Sequence, residues 1–159
     1  MYLEKVKAQV EELQGRHLIG QLVPCSEEEV HALENQLGRA LPAAYREFLL
    51  LMGQRTGGLL GGTSWLYEDL EFIQDDALDL MRRDRFPVLL PPDAFVFLMH
   101  EGYQFAFFRL TEGDDPPVYY YIESDDEISM KIEASHYSIF IFNIIEMEGK
   151  LIAENKRSK

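Results

Sequence analysis

The stretch from Ala94 to Glu123, AFVFLMHEGYQFAFFRLTEGDDPPVYYYIE, leaves this chain few ways to fold. Its density of Phe, Val and Tyr favours extended backbone, because branched and aromatic side chains pack well on a pleated surface. Ala94 to His100 and Tyr103 to Leu110 are separated only by Glu101-Gly102, whose glycine tolerates the positive φ of a tight hairpin turn. After the loop Thr111-Glu112-Gly113-Asp114-Asp115 and Pro116-Pro117, Val118 to Glu123 supplies a third strand. The prolines stand at its entrance, where a missing N–H does least harm. In the first two strands both alternating positions are apolar, Phe95, Phe97 and Met99 against Val96 and Leu98. Such a sheet needs cover on both faces, and helices must provide it.

The flanking sequence contains those helices. Leu3, Val6, Val10 and Leu13 recur at helical spacing before Gly15. Ser26 stands three residues before Glu29 as a capping box, Val30, Leu33 and Leu37 follow on one face, and Gly38 is the expected stop. Leu41-Pro42 starts another helix, with Tyr45, Phe48, Leu49 and Met52 on one side. Ser64 to Tyr67 reads as a short strand with Trp65 as a core anchor; Glu68 to Arg83 is ambiguous, with its C-terminal half, Asp75 to Arg83, the more helical. Ile128, Met130 and Ile132 alternate with Ser129, Lys131 and Glu133, the pattern of a half-exposed strand near a sheet edge. Ser135 or Ser138 is the expected cap of a last helix, with Tyr137, Phe140, Ile141, Ile144 and Ile145 inward and an end near Gly149. The expected fold is α+β: a single domain over residues 1–159, with a mostly antiparallel central β-sheet and helices packed around it. Residues 1–25 form an N-terminal helix and loop, and 152–159 a frayed basic tail.

Charge narrows the partners. Against 15 Lys and Arg stand 28 Asp and Glu, a net charge of −13, which repels nucleic acid and anionic lipid and attracts basic proteins. No apolar run approaches the roughly 20 residues of a membrane span, and the single cysteine, Cys25, excludes an internal disulfide. The expected location is the cytoplasm.

No motif points to catalysis. The segment GGLLGG lacks the GK[ST] ending of a P-loop and reads as a loop crossing the sheet. His17, His31, His100 and His136 show no metal-binding spacing, and no GxSxG elbow is present. Cys25 reads as a small packed thiol. Asp75-Asp76, Asp114-Asp115 and Asp125-Asp126 are acid pairs, but adjacent residues on extended backbone point to opposite faces and do not converge on one substrate atom. We therefore expect no catalytic residues, no metal and no cofactor.

Taken together, SEEEVHALENQLGRALPAAYREFLLLMG, HEGYQFAFFRL, DDPPVYYYIES and the closing apolar helix resemble the SUKH superfamily, over roughly Ser26 to Leu151. That group includes fungal regulators of cell-wall synthesis and many bacterial immunity proteins. The resemblance implies a non-enzymatic, protein-binding α+β domain, most often one that neutralises a nuclease or deaminase toxin inside the producing cell. A regulatory scaffold is the alternative it implies. It brings no catalytic set to carry over, so the contact face is read from this chain: Asp114, Asp115, Asp125, Asp126 and Glu127 as an acidic cluster, with Tyr119 and Tyr121 as aromatic anchors. The expected partner is a basic toxin domain, and the expected state a monomer or weak homodimer.

Overall fold

A computed structural model describes residues 1–123 and 128–159 of the chain. Helix α1, Glu4–Gly15, buries Val6, Val10 and Leu13. After the two-residue strand β1, Leu22–Val23, helix α2 covers Glu27–Leu37. Its capping box is complete: the Glu29 N–H donates to Ser26 Oγ (3.1 Å) and the Ser26 N–H to Glu29 Oε2 (2.8 Å). Gly38 ends it at φ 65°, a conformation that favours glycine. Helix α3, Ala43–Met52, follows Pro42. Strand β2, Arg55–Thr56, pairs antiparallel with β1. The glycine-rich segment between β2 and the next strand serves this small sheet. Gly57 has φ +68°, and a Cβ there would lie 2.7 Å from the Gly20 carbonyl oxygen, so only glycine lets the two backbones meet.

Two expected boundaries are corrected and one left open is settled. The strand around Trp65 is shorter than predicted: β3 is only Thr63–Ser64, and the Asp69 carboxylate then accepts the N–H groups of Trp65 (3.0 Å) and Leu66 (2.9 Å), turning the chain into a 3₁₀ turn at Tyr67–Asp69. Trp65 is buried and its ring lies 5.2 Å from that of Phe48. Helix α4, Leu70–Arg83, begins before Asp75; an exposed Phe72 interrupts the apolar stripe that would have marked its start. The last helix does not stop at Gly149 or fray beyond Leu151 but runs on to Arg157. That glycine instead admits a close approach to α1, since a Cβ there would stand 3.0 Å from Leu13 Cδ2.

The central sheet holds β3 and strands β4 (Ala94–His100), β5 (Gln104–Arg109), β6 (Val118–Glu123) and β7 (Ile128–Ala134), antiparallel throughout in the order β3-β4-β5-β6-β7. At the β4–β5 turn Glu101 and Gly102 both take positive φ (48° and 78°), and the Tyr103 N–H donates to the His100 carbonyl (3.2 Å). Phe97 shares the face of Phe95 and Phe108, and the bulge between Val96 and Leu98 brings Leu98, opposite Ala106, onto that face as well. There the rings of Phe95, Phe97 and Phe108 meet Tyr45 of α3, while Tyr137 and Phe140 of helix α5, Tyr137–Arg157, close over Phe97. The opposite face carries Phe105, Phe107, Tyr119 and Tyr121, with Phe86 arriving edge-on over Tyr121. Beyond the reach of the short β3, β4 would expose its backbone. Gln74 of α4 covers it, donating to the Val96 carbonyl (2.6 Å) and accepting the Val96 N–H (3.0 Å) as a neighbouring strand would.

Candidate protein-binding face

The loop between β5 and β6 brings Asp114 and Asp115 against two helix starts. Asp114 has an exposed side chain, while its carbonyl accepts the Ala44 N–H (2.9 Å) at the beginning of α3. Asp115 is committed to structure. One carboxylate oxygen accepts the Ser138 N–H (2.8 Å) and the other its hydroxyl (2.6 Å). This corrects two expectations. Neither Ser135 nor Ser138 caps α5 with its own side chain; His136 occupies the cap position without a side-chain capping bond, and Asp115 serves the first turn from across the fold. Its carboxylate is accordingly a positioning group for loop and helix rather than a free contact residue.

The two tyrosines proposed as anchors share a face but not an environment. Tyr121 is fully buried, stacked on Phe105 with centroids 4.8 Å apart, and its hydroxyl donates to Asp84 Oδ2 (2.6 Å). Burial, then the Asp84 carboxylate, push its pKa well up. It cannot offer its ring to a partner, which corrects its assignment as an anchor. Tyr119 is half-buried, stacked on Phe107 at 5.1 Å, with its hydroxyl donating to Glu112 (3.0 and 3.2 Å). Burial and then Glu112 raise its pKa. Opposite it in register stands Ile132 of β7, 61% exposed. The exposure of Ile132 is not readable from alternation, which shows that β7 has two faces and not that the apolar one is left open. Asp125, Asp126 and Glu127 lie outside the described residues. The described part of this face is thus Asp114, Glu112, Tyr119 and Ile132.

Among the described residues the candidate reactive groups do not assemble. Cys25 is buried, and burial followed by the nearby Glu29 pushes its thiol up to about 12, so it remains protonated at neutral pH. Asp75 and Asp76 are exposed on α4. Among the described residues no group of three or more His, Cys, Asp or Glu side chains could hold a metal ion, and no helix is long and apolar enough to cross a membrane.

With α2 leading into α3 and both packed beside an antiparallel aromatic sheet closed by α5, the comparison with known families becomes decisive. Residues 24–143 match the model of the SMI1 / KNR4 family (SUKH-1). The chain belongs to this family. The SUKH-1 match begins just before the capping box of α2, includes the whole central sheet and ends inside α5, with α1 outside the matched residues. No curated protein matches the chain. Membership is consistent with an immunity-protein or Smi1/Knr4-like role, and it suggests protein–protein interaction.

Proposed function

We propose that this SUKH-1 chain is a non-enzymatic binding module that acts in the cytoplasm as an immunity protein, capturing a basic nuclease or deaminase toxin domain through an acidic surface. The observation that carries the reading is the net charge of −13 on a SUKH-1 fold. A nuclease needs a basic groove for its substrate, and an acidic inhibitor occupies such a groove by imitating phosphate charge, with electrostatic steering speeding capture. The contact face is assigned to Asp114, Tyr119, Asp125, Asp126 and Glu127; Asp115, bonded to Ser138, and Tyr121, buried on Phe105, are left out of it.

The test is capture of partners from lysate and secreted fraction at low and at high salt, followed by calorimetry on what is bound. One dominant basic protein whose affinity falls with salt is expected. Replacing Asp114, Asp125, Asp126 and Glu127 by Asn or Gln should weaken it at least about tenfold and flatten the salt dependence. Unchanged affinity and salt response in that variant would remove the acidic face from the proposal. The SMI1 / KNR4 description of the family favours a second reading, a regulatory scaffold related to cell-wall synthesis regulators, which predicts several weaker partners in place of one.

A further inference from the structure

On the face of the sheet packed by α3 and α5, the helical cover ends before the sheet does. Phe140 of α5 meets Tyr120 of β6 at its edge, with centroids 6.3 Å apart. Further along the helix, two cavities of about 350 and about 260 Å³ open between α5 and the strands. Both are lined by Tyr120, Ile144 and Met147, so they form the two arms of one groove. One arm reaches Glu133 and Ala134 on β7; the other reaches Leu60, Leu98 and His100. Its total size is that of a recognition pocket and its floor is apolar. Met147, 56% exposed on the rim, is an unbranched side chain that can reshape around what enters.

The polar groups in the groove are largely spoken for. Tyr120 donates to Gln104 Oε1 (2.8 Å), and His100 Nδ1 shares a hydrogen bond with Thr63 Oγ1 (2.8 Å). The acids are not spoken for in this way: Glu133 in one arm and Glu148 in the other are carboxylates, and no lysine or arginine lines either arm. Among the described residues neither forms an ion pair. An apolar trough with a carboxylate in each arm selects against acidic and purely polar chains and favours a chain that alternates apolar and basic side chains.

We propose that this groove docks an extended basic segment of a protein partner, with one apolar side chain seated between Tyr120 and Met147 and a flanking lysine or arginine directed to each of Glu133 and Glu148. The assignment rests on the protein-binding reading above and gives it a second contact surface, on the opposite side of the sheet from Tyr119.

The test uses the whole chain, labelled for backbone amide and methionine methyl NMR. The probe is acetyl-Lys-Leu-Lys-Leu-Lys-amide, with acetyl-Lys-Ser-Lys-Ser-Lys-amide and acetyl-Glu-Leu-Glu-Leu-Glu-amide as controls. The Lys-Leu peptide should shift the Met147 methyl and the amides of Gly61, His100, Gln104 and Ile144, whereas the controls leave them in place. Glu133→Gln and Glu148→Gln should each weaken it about twofold to fivefold at low salt. Met147→Asp, at an exposed position that leaves the spectrum dispersed, should abolish it. No shifts at millimolar peptide, equal shifts with the Lys-Ser peptide, or shifts confined to the loop around Asp114 would each overturn the groove. A partner bound equally by Met147→Asp and by the unaltered chain also sinks the groove while leaving the protein-binding reading intact. Failure to find any protein partner sinks that reading instead.

Discussion

The two halves of the central sheet follow opposite rules. In β4 and β5 every residue from Phe95 to Met99 and from Phe105 to Phe108 is buried, whichever way its side chain points. In β6 only Val118 and Tyr121 are buried, and in β7 Lys131, Ile132 and Glu133 are exposed. The first hairpin is covered by α3 and α5 on one face and has α4 packed against β4, so its aromatic residues contribute stability. The second extends past that cover. Its side chains are held by neighbours within the sheet and several stay exposed, and the proposed binding sits there, where the core contributes least. Both proposed contact surfaces draw on this second hairpin, one on each face.

The sharpest way to break this contrast is to truncate one residue in each half. Phe108→Ala should cost about 3–5 kcal/mol in urea unfolding, because it empties a site walled by Tyr45, Phe95, Phe97 and Tyr137. Ile132→Ala should stay within about 0.5 kcal/mol. A loss above about 2 kcal/mol at Ile132 would make the outer hairpin part of the core after all.

The inner half also depends on its edge being closed. Gln74→Leu keeps the bulk against β4 but strips the Val96 N–H and carbonyl of their partners, at a cost of about 1–3 kcal/mol. Hydrogen exchange at the Val96 amide should rise more than at Phe107, opposite it on β5. Equal protection in the variant would mean that burial alone shields this edge.

Much of the inner half is legible in sequence because its pattern is redundant. From Phe95 to Met99 every position is apolar, so neither register nor bulge matters for deducing a strand covered on both faces. The cap of α2 is equally plain, since Ser26 and Glu29 satisfy each other within one turn. What escapes sequence reading depends on contacts without local period. Strands β1 and β2 are two residues each, too short to alternate. Tyr119 and Tyr121 have the same parity, and only Phe86, brought in by an irregular segment, decides that Tyr121 is the covered one. Asp115 and Ser138 meet across 23 positions, so a local search for the cap of α5 finds the serines and misses the acid. Gly149 has the same defect as a signal, because a helix stop and a close helix contact both call for glycine.

The loop offers the next test, because Asp114 and Asp115 are adjacent yet belong to different sides of the comparison. Asp115→Ala removes both bonds to Ser138 and should cost about 1–2 kcal/mol, the usual worth of a helix cap. Asp114→Ala should cost less than about 0.5 kcal/mol and act only on partner binding. Thermal unfolding of the two variants side by side separates the roles, and equal destabilisation would show that the loop works as one structural unit.

The smallest effect is expected at Tyr120, where the two halves meet. Its hydroxyl donates to Gln104, and burial, followed by Glu133 and Tyr103, pushes its pKa up to about 12. At neutral pH the phenol is protonated in the folded and unfolded chains alike, so Tyr120→Phe should cost about 1 kcal/mol or less, the net worth of one hydrogen bond. An unfolded tyrosine ionises near pH ~10, and above that pH the unfolded chain gives up a proton that the folded chain retains. The stability that Tyr120 contributes is therefore complete below about pH 10 and is lost as the pH rises toward about 12. Denaturant midpoints across that interval should fall less steeply for Tyr120→Phe than for the unaltered chain, bringing the two curves together. Parallel curves would mean that Tyr120 titrates as it does in water, and that the groove end of β6 is as open to solvent as Ile132.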